Sequence, residues 1–196
     1  YEENDGWTLY QKISSVGGEA GDSFGAAVDM TSQYIVVGAN LVDSGSNNNN
    51  GGAYVFEKDF EGIWFQSQEL IPSINASQNQ FGYSLAITND HIVVSMPFAN
   101  TEGYSNSGAA ILYYKPGDSW IIERVLESEY PQSNDNFGID IAINEPYLAV
   151  HSGANLVLLK RQSDLHWFTE IEFQTPVIGP IVIQNGDLLT AEQVTN

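Results

Sequence analysis

Residues 64–87 read WFQSQELIPSINASQNQFGYSLAI, and the pattern in this stretch recurs along the chain. A tryptophan opens it, and a Phe-Gly pair and then an apolar run follow at fixed positions. Three copies keep the same spacing, from Trp7 to Phe24-Gly25, from Trp64 to Phe81-Gly82 and from Trp120 to Phe137-Gly138. Because two rare features keep one spacing three times, we interpret the chain as an internal repeat.

Each copy contains four short apolar or β-branched runs that are separated by Gly, Asn, Asp or Pro, a pattern typical of strands and turns. In the second copy the runs are residues 85–87, 92–94 and 110–113 and the stretch that Trp120 opens. The sequence therefore predicts an all-β fold with four antiparallel strands in each sheet. Such sheets bury their two apolar faces against one another, as the blades of a β-propeller do.

A fourth tryptophan, Trp167, opens a shortened copy. Apolar runs at 181–183 and 188–190 correspond to its first and second strands. The separation from Trp167 to Ile181 is shorter than the matching one from Trp64 to Leu85, and the Phe-Gly pair is missing. We therefore predict a single array over residues 1–196, with three complete four-stranded blades at about 7–63, 64–119 and 120–166 and a partial fourth at 167–196.

Several stretches carry a resemblance to a known family. They are Gly21-Asp22-Ser23-Phe24-Gly25, Ile35-Val36-Val37-Gly38-Ala39, Gly51-Gly52-Ala53-Tyr54-Val55-Phe56, Gln80-Phe81-Gly82-Tyr83-Ser84 and Asn136-Phe137-Gly138. With these motifs the sequence resembles the FG-GAP repeat family, whose repeats form the blades of integrin-α-type β-propellers. The resemblance covers nearly the whole chain, and it implies a β-propeller that is usually extracellular and is used for adhesion or protein–protein contact.

The sequence departs from this family in two ways. Many members bind calcium in the hairpin between the first and second strands, but here that hairpin is about three residues long, as at 31–33 and 88–90. Calcium takes six to eight oxygen ligands, so we expect the calcium-free variety of the repeat, with no metal site and no cofactor. A typical member also has seven blades. This chain is therefore part of a longer chain or assembly, which we favour, or pairs with a second copy, or closes as four blades with residues 7–13 in the last blade.

The chain is strongly acidic, with 25 Asp and Glu against 6 Lys and Arg and a net charge of −19. Such a field repels phosphate backbones and anionic membranes, so nucleic acid is disfavoured as a partner, whereas cations and basic proteins are favoured. The absence of cysteine excludes disulfides, thiolate metal sites and cysteine nucleophiles. No apolar run approaches the ~20 residues that cross a bilayer, so we expect no membrane span.

Two long loops precede the third strands of the first two repeats, at residues 40–52 and 97–108. Loops on a rigid scaffold often carry binding function, and these two are expected at the same end of neighbouring sheets. They are therefore the candidate partner-binding loops, with Asp43, Asn47 and Asn48 in the first and Glu102 and Tyr104 in the second.

Signatures of catalysis are missing from the sequence. No nucleophile elbow and no nucleotide-binding loop occurs, and the three histidines lack metal-ligand spacing, so surface or strand-edge roles are expected for His91, His151 and His166. An exposed acidic edge is the interpretation of Glu123, Glu127 and Glu129. The polar residue two positions before the phenylalanine of each Phe-Gly pair is predicted to cap turn amides; these residues are Asp22, Asn79 and Asp135.

These features favour a non-catalytic extracellular or cell-surface module for adhesion, protein–protein interaction or structural assembly. Its partner is expected to be a protein, a glycan or further copies of itself. Two alternatives stay open, namely a filament-forming structural subunit and a polysaccharide-active propeller enzyme that brings two carboxylates within about 5–9 Å. The one Asn-x-Ser sequon, Asn75-Ala76-Ser77, predicts a glycosylation site at Asn75 if the protein is secreted from a eukaryotic cell.

Overall fold

The structure is a computed structural model that describes residues 8–74, 76–153, 156–162, 167–173, 181–184 and 187–190. Trp7, Asn75 and His166, which are named in the predictions above, lie outside these residues. The described residues form three four-stranded antiparallel sheets and one two-stranded hairpin, and they contain no helix. The prediction of an all-β repeat fold is therefore confirmed.

In every sheet the strand order follows the sequence. The first sheet contains β1 (Phe24–Met30), β2 (Tyr34–Ala39), β3 (Gly52–Lys58) and β4 (Trp64–Leu70). The second contains β5 (Leu85–Ile87), β6 (His91–Met96), β7 (Ala109–Tyr114) and β8 (Ile121–Leu126). The third contains β9 (Asp140–Asn144), β10 (Tyr147–His151), β11 (Leu156–Arg161) and β12 (Trp167–Phe173). The C-terminal hairpin pairs β13 (Ile181–Gln184) with β14 (Asp187–Thr190).

The three sheets share details of register as well as strand order. The pairing of each third strand with its fourth strand shifts at one point, and the shifts lie at matching repeat positions, namely Val55/Phe56, Leu112/Tyr113 and Leu158/Leu159. The predicted strands at 181–183 and 188–190 are also present, as β13 and β14. Residues 8–13, by contrast, form no strand.

In the first two sheets, the short hairpins between the first and second strands are closed by threonine hydroxyls. Thr31 Oγ1 accepts hydrogen bonds from the amides of Gln33 and Tyr34, at 3.2 and 3.1 Å. Thr88 Oγ1 accepts the corresponding bonds in the second sheet. A hydroxyl that caps its own turn in this way is a known device for tight turns. These hairpins are therefore compact turns, as their length in the sequence predicts.

Consecutive sheets pack face to face, which creates two seams. The first seam, between the first and second sheets, buries residues that include Val36, Val55 and Leu70 of the first sheet and Leu85 and Ile87 of the second. The second seam, between the second and third sheets, is built from Val93, Leu112, Ile141, Leu148 and others. The C-terminal hairpin packs on the third sheet through Ile181 and Ile183. Burial of apolar side chains, at about 25 cal/mol per Å², is the main force that holds the sheets together.

The Phe-Gly pairs of the second and third repeats lie in these seams. Phe81 and Phe137 are 0% and 1% exposed. Gly82 has φ +89°, and a Cβ there would overlap the carbonyl oxygen of Gly52 in the first sheet. Only glycine satisfies both the left-handed backbone and the close approach of the neighbouring chain. The glycine of the motif is therefore required for the contact between sheets as well as for the turn.

Replacing Gly82 by alanine should destabilise the protein far more than replacing Gly25. Both residues have φ near +90°, but a Cβ on Gly25 meets no atom of the described residues within 4 Å. We expect about 1 kcal/mol for Gly25→Ala from backbone strain alone. For Gly82→Ala we expect a further loss of about 2–3 kcal/mol, because the seam must open. Urea unfolding followed by tryptophan fluorescence measures both losses, and equal losses would contradict a role for Gly82 in the seam.

Candidate functional site

The Phe-Gly turn adopts one backbone conformation in all three repeats. The third residue before the phenylalanine, the residue just before it and the glycine after it all have positive φ. The values are 109°, 59° and 95° for Gly21, Ser23 and Gly25, 66°, 54° and 89° for Gln78, Gln80 and Gly82, and 69°, 52° and 90° for Asn134, Asn136 and Gly138. Because non-glycine residues rarely take this conformation, the shared pattern shows that the turn is a defined structural unit.

Polar side chains hold this turn as the sequence predicts. Asp22 Oδ2 accepts a hydrogen bond from the amide of Glu19 at 2.6 Å, and Asp135 Oδ2 accepts one from Gln132 at 2.7 Å. Asn79 acts as a donor instead of an acceptor, because its Nδ2 donates to the carbonyl oxygen of Ile74 at 3.1 Å. The predicted capping role is therefore present at Asp22 and Asp135, while Asn79 braces the same turn as a donor, and none of the three needs a catalytic explanation.

The long loop of one sheet is hydrogen-bonded through its backbone to the Phe-Gly turn of the next sheet. In the first seam the carbonyls of Asn48, Asn49 and Asn50 accept from the amides of Gln78, Gln80 and Phe81, at 2.8, 3.1 and 2.8 Å. In the second seam the carbonyls of Ser105, Asn106 and Ser107 accept from the amides of Asn134, Asn136 and Phe137, at 2.8, 3.0 and 2.9 Å. The sequence predicts these loops only as binding insertions, and the structure shows that they also join the sheets.

Side chains at the tips of the same two loops face the solvent. Asp43, Asn48, Glu102 and Tyr104 are exposed, and Asn47 is half-buried. The loops are internally braced, since Asp43 Oδ1 accepts from the Asn49 amide and Asn100 Oδ1 accepts from the Asn106 amide, both at 2.8 Å. Both loops connect the second strand to the third in adjacent sheets, so they lie at the same end of the array. The candidate residues are thus presented on one rigid, acidic loop face.

A second repeated contact joins the outer strands of consecutive sheets. The side-chain amide of Gln68 donates to the carbonyl of Trp120 at 2.7 Å and accepts from its backbone amide at 2.8 Å. Gln11 binds both backbone groups of Trp64 in the same way, at 2.7 and 2.9 Å. Arg124 donates to the carbonyl of Trp167 at 2.8 Å. Each of these side chains lies four residues after a tryptophan, a periodicity visible in the sequence.

In each seam, the tryptophan of the later sheet contacts an aromatic ring of the earlier sheet. That ring belongs to the first residue of the earlier sheet's second strand. In the first seam Trp120 lies edge-on to Tyr34, with ring centroids 5.3 Å apart. Lys115 lies over Tyr34 and donates to Glu57. Desolvation lowers the pKa of Lys115, but the hydrogen bond and charge of Glu57 outweigh it, so the pKa is raised. The lysine is therefore held charged within the seam.

In the second seam the aromatic position is His91, which contacts Trp167 edge-on at 5.7 Å. His91 is 1% exposed, so the expectation of a surface or strand-edge role is wrong. Its Nδ1 lies 2.7 Å from Glu145 Oε1, and its Nε2 lies 3.3 Å from Glu123 Oε2. The sequence suggested that Glu123 belongs to an exposed acidic edge, but it is half-buried beside His91, with 23% of its side chain exposed.

Glu145 is the centre of this second polar cluster. Its carboxylate also accepts from Thr88 Oγ1 and from Arg161 Nη1, both at 3.1 Å. The hydrogen bond from His91 is the largest influence, and it lowers the pKa of Glu145 from 4.5 to about 2 despite partial burial. The two ionisable clusters of the seams therefore hold sheets together, since each joins residues of two consecutive sheets.

No group of three His, Cys, Asp or Glu side chains with the geometry of a metal site occurs among the described residues. Within the part of the chain that the structure describes, we find no helix with the length and apolar character needed to cross a membrane.

Comparison with known families gives one match. The family model described as the FG-GAP repeat matches residues 7–56 and 64–113, which together make up a little more than half of the chain. Each matched region begins at a tryptophan and ends within the third strand of a sheet. A search of curated proteins found no match to this chain.

Acid should weaken the second seam through Glu145. Its pKa is lower in the folded state than the ordinary 4.5, so its stabilisation is complete above about pH 5 and is lost as the pH falls toward 2. The Glu145→Gln variant should therefore be less stable than the parent at about pH 6 and should approach it at about pH 2. Urea unfolding across this range tests this, with Glu61→Gln on an exposed turn as the control. A constant deficit of Glu145→Gln at all pH values would contradict it.

Removing the Gln68 side-chain amide should loosen the first seam. In Gln68→Met the shape is kept, but both backbone groups of Trp120 lose their partner. We expect a loss of about 1–2 kcal/mol in the free energy of unfolding. The exposed Gln33→Met is the matched control and should change stability by less than about 0.5 kcal/mol. Thermal unfolding of the two variants decides the point, and equal effects would show that the contact with Trp120 contributes nothing.

Proposed function

Because the chain belongs to the FG-GAP repeat family, we propose that it is a non-catalytic protein-interaction module, built as blades of a β-propeller and active in adhesion or assembly outside the cell or at its surface. The loop face carries the binding. The three consecutive sheets, joined at two seams by the same backbone contacts, support the assignment of blades.

The loop face is the observation that carries this proposal. Its two loops are fixed at their bases by backbone hydrogen bonds to the next Phe-Gly turn, while the tips stay exposed. A loop that is already ordered loses little conformational entropy when it binds. Tyr104, which is 44% exposed at a loop tip, is of the residue type that is enriched at protein interfaces. This combination is typical of a preorganised binding surface.

Charge indicates the kind of partner. Asp43 and Glu102 are exposed on the loop tips, and Glu102 also raises the pKa of Glu127 after the larger effect of burial. The effect of Glu102 on Glu127 indicates a local concentration of negative charge, in a chain whose net charge is −19. Such a surface attracts a basic protein and accelerates its association at low salt. We therefore expect a partner with a basic contact surface.

The remaining ionisable clusters support a role other than catalysis. Lys115 and Glu145 are the described groups whose pKa values are shifted by a hydrogen bond across a seam, with Glu57 and His91 as the respective partners. Each cluster lies between two packed sheets and holds charged partners at hydrogen-bond distance. A buried ion pair of this kind contributes to the fit between sheets, because removal of one partner would leave an uncompensated charge.

Substitution at the loop tips should weaken partner binding without affecting the fold. Binding of the immobilised chain to arrays of extracellular proteins and glycans identifies partners. The double variant Glu102→Gln, Tyr104→Ala should weaken the affinity for a true partner about tenfold or more. The control is Phe60→Ser, because Phe60 is 97% exposed in the β3–β4 turn, at the opposite end of the first sheet.

Two results would contradict the proposal. One is a bound protein whose affinity falls with Phe60→Ser and not with the loop-tip variant, since that would place the contact elsewhere. The other is cleavage of any glycan on the array during incubation, which would favour the polysaccharide-active alternative. The salt dependence of the affinity provides a further check, because a basic partner should bind more weakly as salt screens the charges.

A further inference from the structure

Asn50 and Gly51 lie at the base of the first long loop, where the loop joins the Phe-Gly turn of the second sheet. The carbonyl oxygen of Asn50 accepts the amide of Phe81 at 2.8 Å, and Gly51 forms a parallel bridge with the same residue. Asn50 is 3% exposed, although asparagine is a residue type that is mostly exposed in proteins. The pair is therefore enclosed in the first seam.

An Asn-Gly pair is chemically labile. The glycine nitrogen, once it has lost its proton, attacks the carbonyl carbon of the asparagine side chain, and no Cβ on the glycine obstructs the approach. The new N–C bond closes a five-membered succinimide, and the side-chain nitrogen takes up a proton and leaves as ammonia. One water molecule then opens the ring. Hydrolysis at the former side-chain carbonyl gives aspartate, and hydrolysis at the backbone carbonyl gives isoaspartate.

The first seam requires the glycine of this pair. Gly51 has φ +89°, and a Cβ there would overlap the carbonyl oxygen of Phe81. The second seam requires Gly108 for the same reason, but the residue before it is Ser107, which has no side-chain amide to react. Of the two seams, only the first therefore combines the essential glycine with an asparagine.

The closed seam holds both reacting groups in place. The Gly51 amide donates its proton to the carbonyl oxygen of Val42 at 2.9 Å. Asn50 Oδ1 accepts from the amide of Ala76 at 3.1 Å, and Ala76 lies in the segment that leads to the second sheet. Loss of the Gly51 proton requires local opening, as hydrogen exchange does. The reaction therefore requires that this part of the seam first separates.

Isoaspartate would prevent the separated seam from closing again. In isoaspartate the main chain runs through the former side chain and is one carbon atom longer. The backbone carbonyl of Asn50, which accepts from Phe81 in the closed seam, becomes a free carboxylate. The loop can then no longer align residue 50 with Phe81 and Gly51 with Val42 at the same time. The product also adds a negative charge to a chain whose net charge is already −19.

We propose that Asn50-Gly51 is a deamidation site gated by the first seam. The closed seam keeps the pair unreactive, and once the seam has opened, conversion to isoaspartate makes the opening irreversible. The site therefore marks chains in which the first and second sheets have separated. This inference concerns the base of the loop and goes beyond the proposed function, which depends on the loop tips.

Peptide mapping by mass spectrometry, which separates aspartate from isoaspartate, tests the gate. At one mildly alkaline pH we expect Asn50 to convert about a hundredfold or more slowly in the folded chain than in urea, because conversion requires local opening. The sequence holds a second Asn-Gly pair, Asn185-Gly186, which serves as the reference for the urea sample. In urea both pairs should convert at similar rates, since only the neighbouring residues then influence the reaction.

Two variants distinguish opening of the first seam from unfolding of the whole chain. Gln68→Met removes a contact of the first seam, and Glu145→Gln removes one of the second. Gln68→Met should speed the conversion of Asn50 in the folded chain by about tenfold. Glu145→Gln, the matched control, should leave the rate within about twofold of the parent, because the first seam keeps its contacts.

The effect of the product is measured after refolding. The chain is aged in alkaline urea, returned to native buffer and followed by hydrogen exchange. Chains that contain isoaspartate at position 50 should lose protection of the Gln80 and Phe81 amides, which pair in the first seam. The corresponding amides of the second seam, Asn136 and Phe137, should keep their protection and serve as the internal reference.

Asn50→Ser is the control for ageing. It places at this position the residue type that the second repeat has at Ser107, so the seam should still close. The reaction at residue 50 is removed, while the same treatment still acts on Asn185. After ageing and refolding, this variant should protect the amides of both seams.

Three outcomes would overturn the proposal. The first is conversion of Asn50 in the folded chain at the rate found in urea. The second is equal acceleration by Gln68→Met and Glu145→Gln, which would show that conversion follows unfolding of the whole chain. The third is full protection of the Phe81 amide in refolded chains that contain isoaspartate at position 50. None of these measurements involves a binding partner, so the proposed function is tested separately.

Discussion

The backbone pairing between the loop of one sheet and the Phe-Gly turn of the next is the constraint on which the rest of the structure depends. The turn holds its amides in a left-handed conformation that no strand of its own sheet can pair. The carbonyls of Asn48, Asn49 and Asn50 satisfy them from the preceding sheet. An unsatisfied buried amide costs about 1–3 kcal/mol. A sheet of this repeat is therefore complete only beside a neighbour with a matching loop.

The side chains of the seams vary around this constant backbone contact. A tryptophan meets an aromatic ring in both seams, but the charged groups differ, with Lys115 and Glu57 in the first and His91 and Glu145 in the second. Exchanging one sheet for another would separate these pairs and leave buried charges without partners. The ion pairs therefore add specificity to the order of the sheets, whereas apolar burial provides most of the stability.

Sequence periodicity revealed the repeat and the strands, but the interpretation of single residues was less successful. His91 was expected near the surface because histidine carries no apolar signal. Its repeat position is that of Tyr34 and Tyr147, so alignment of the copies would have indicated an aromatic seam residue. The loops at 40–52 and 97–108 were interpreted only as binding elements because their polar composition hides the backbone contacts that they make.

The sequence by itself determined the strand pattern, the repeat phase and the family, because these depend on short-range alternation of apolar and turn-forming residues. The tertiary structure alone decided which polar groups meet across the seams. Gln68 and Trp120 are 52 residues apart, and His91 and Glu145 are 54 apart. Contacts over such separations depend on how the sheets pack, which no local pattern records. The Phe-Gly turn depends on both sequence and tertiary structure. Its glycine can be recognised in the sequence, whereas the loop that pairs with it belongs to the preceding sheet.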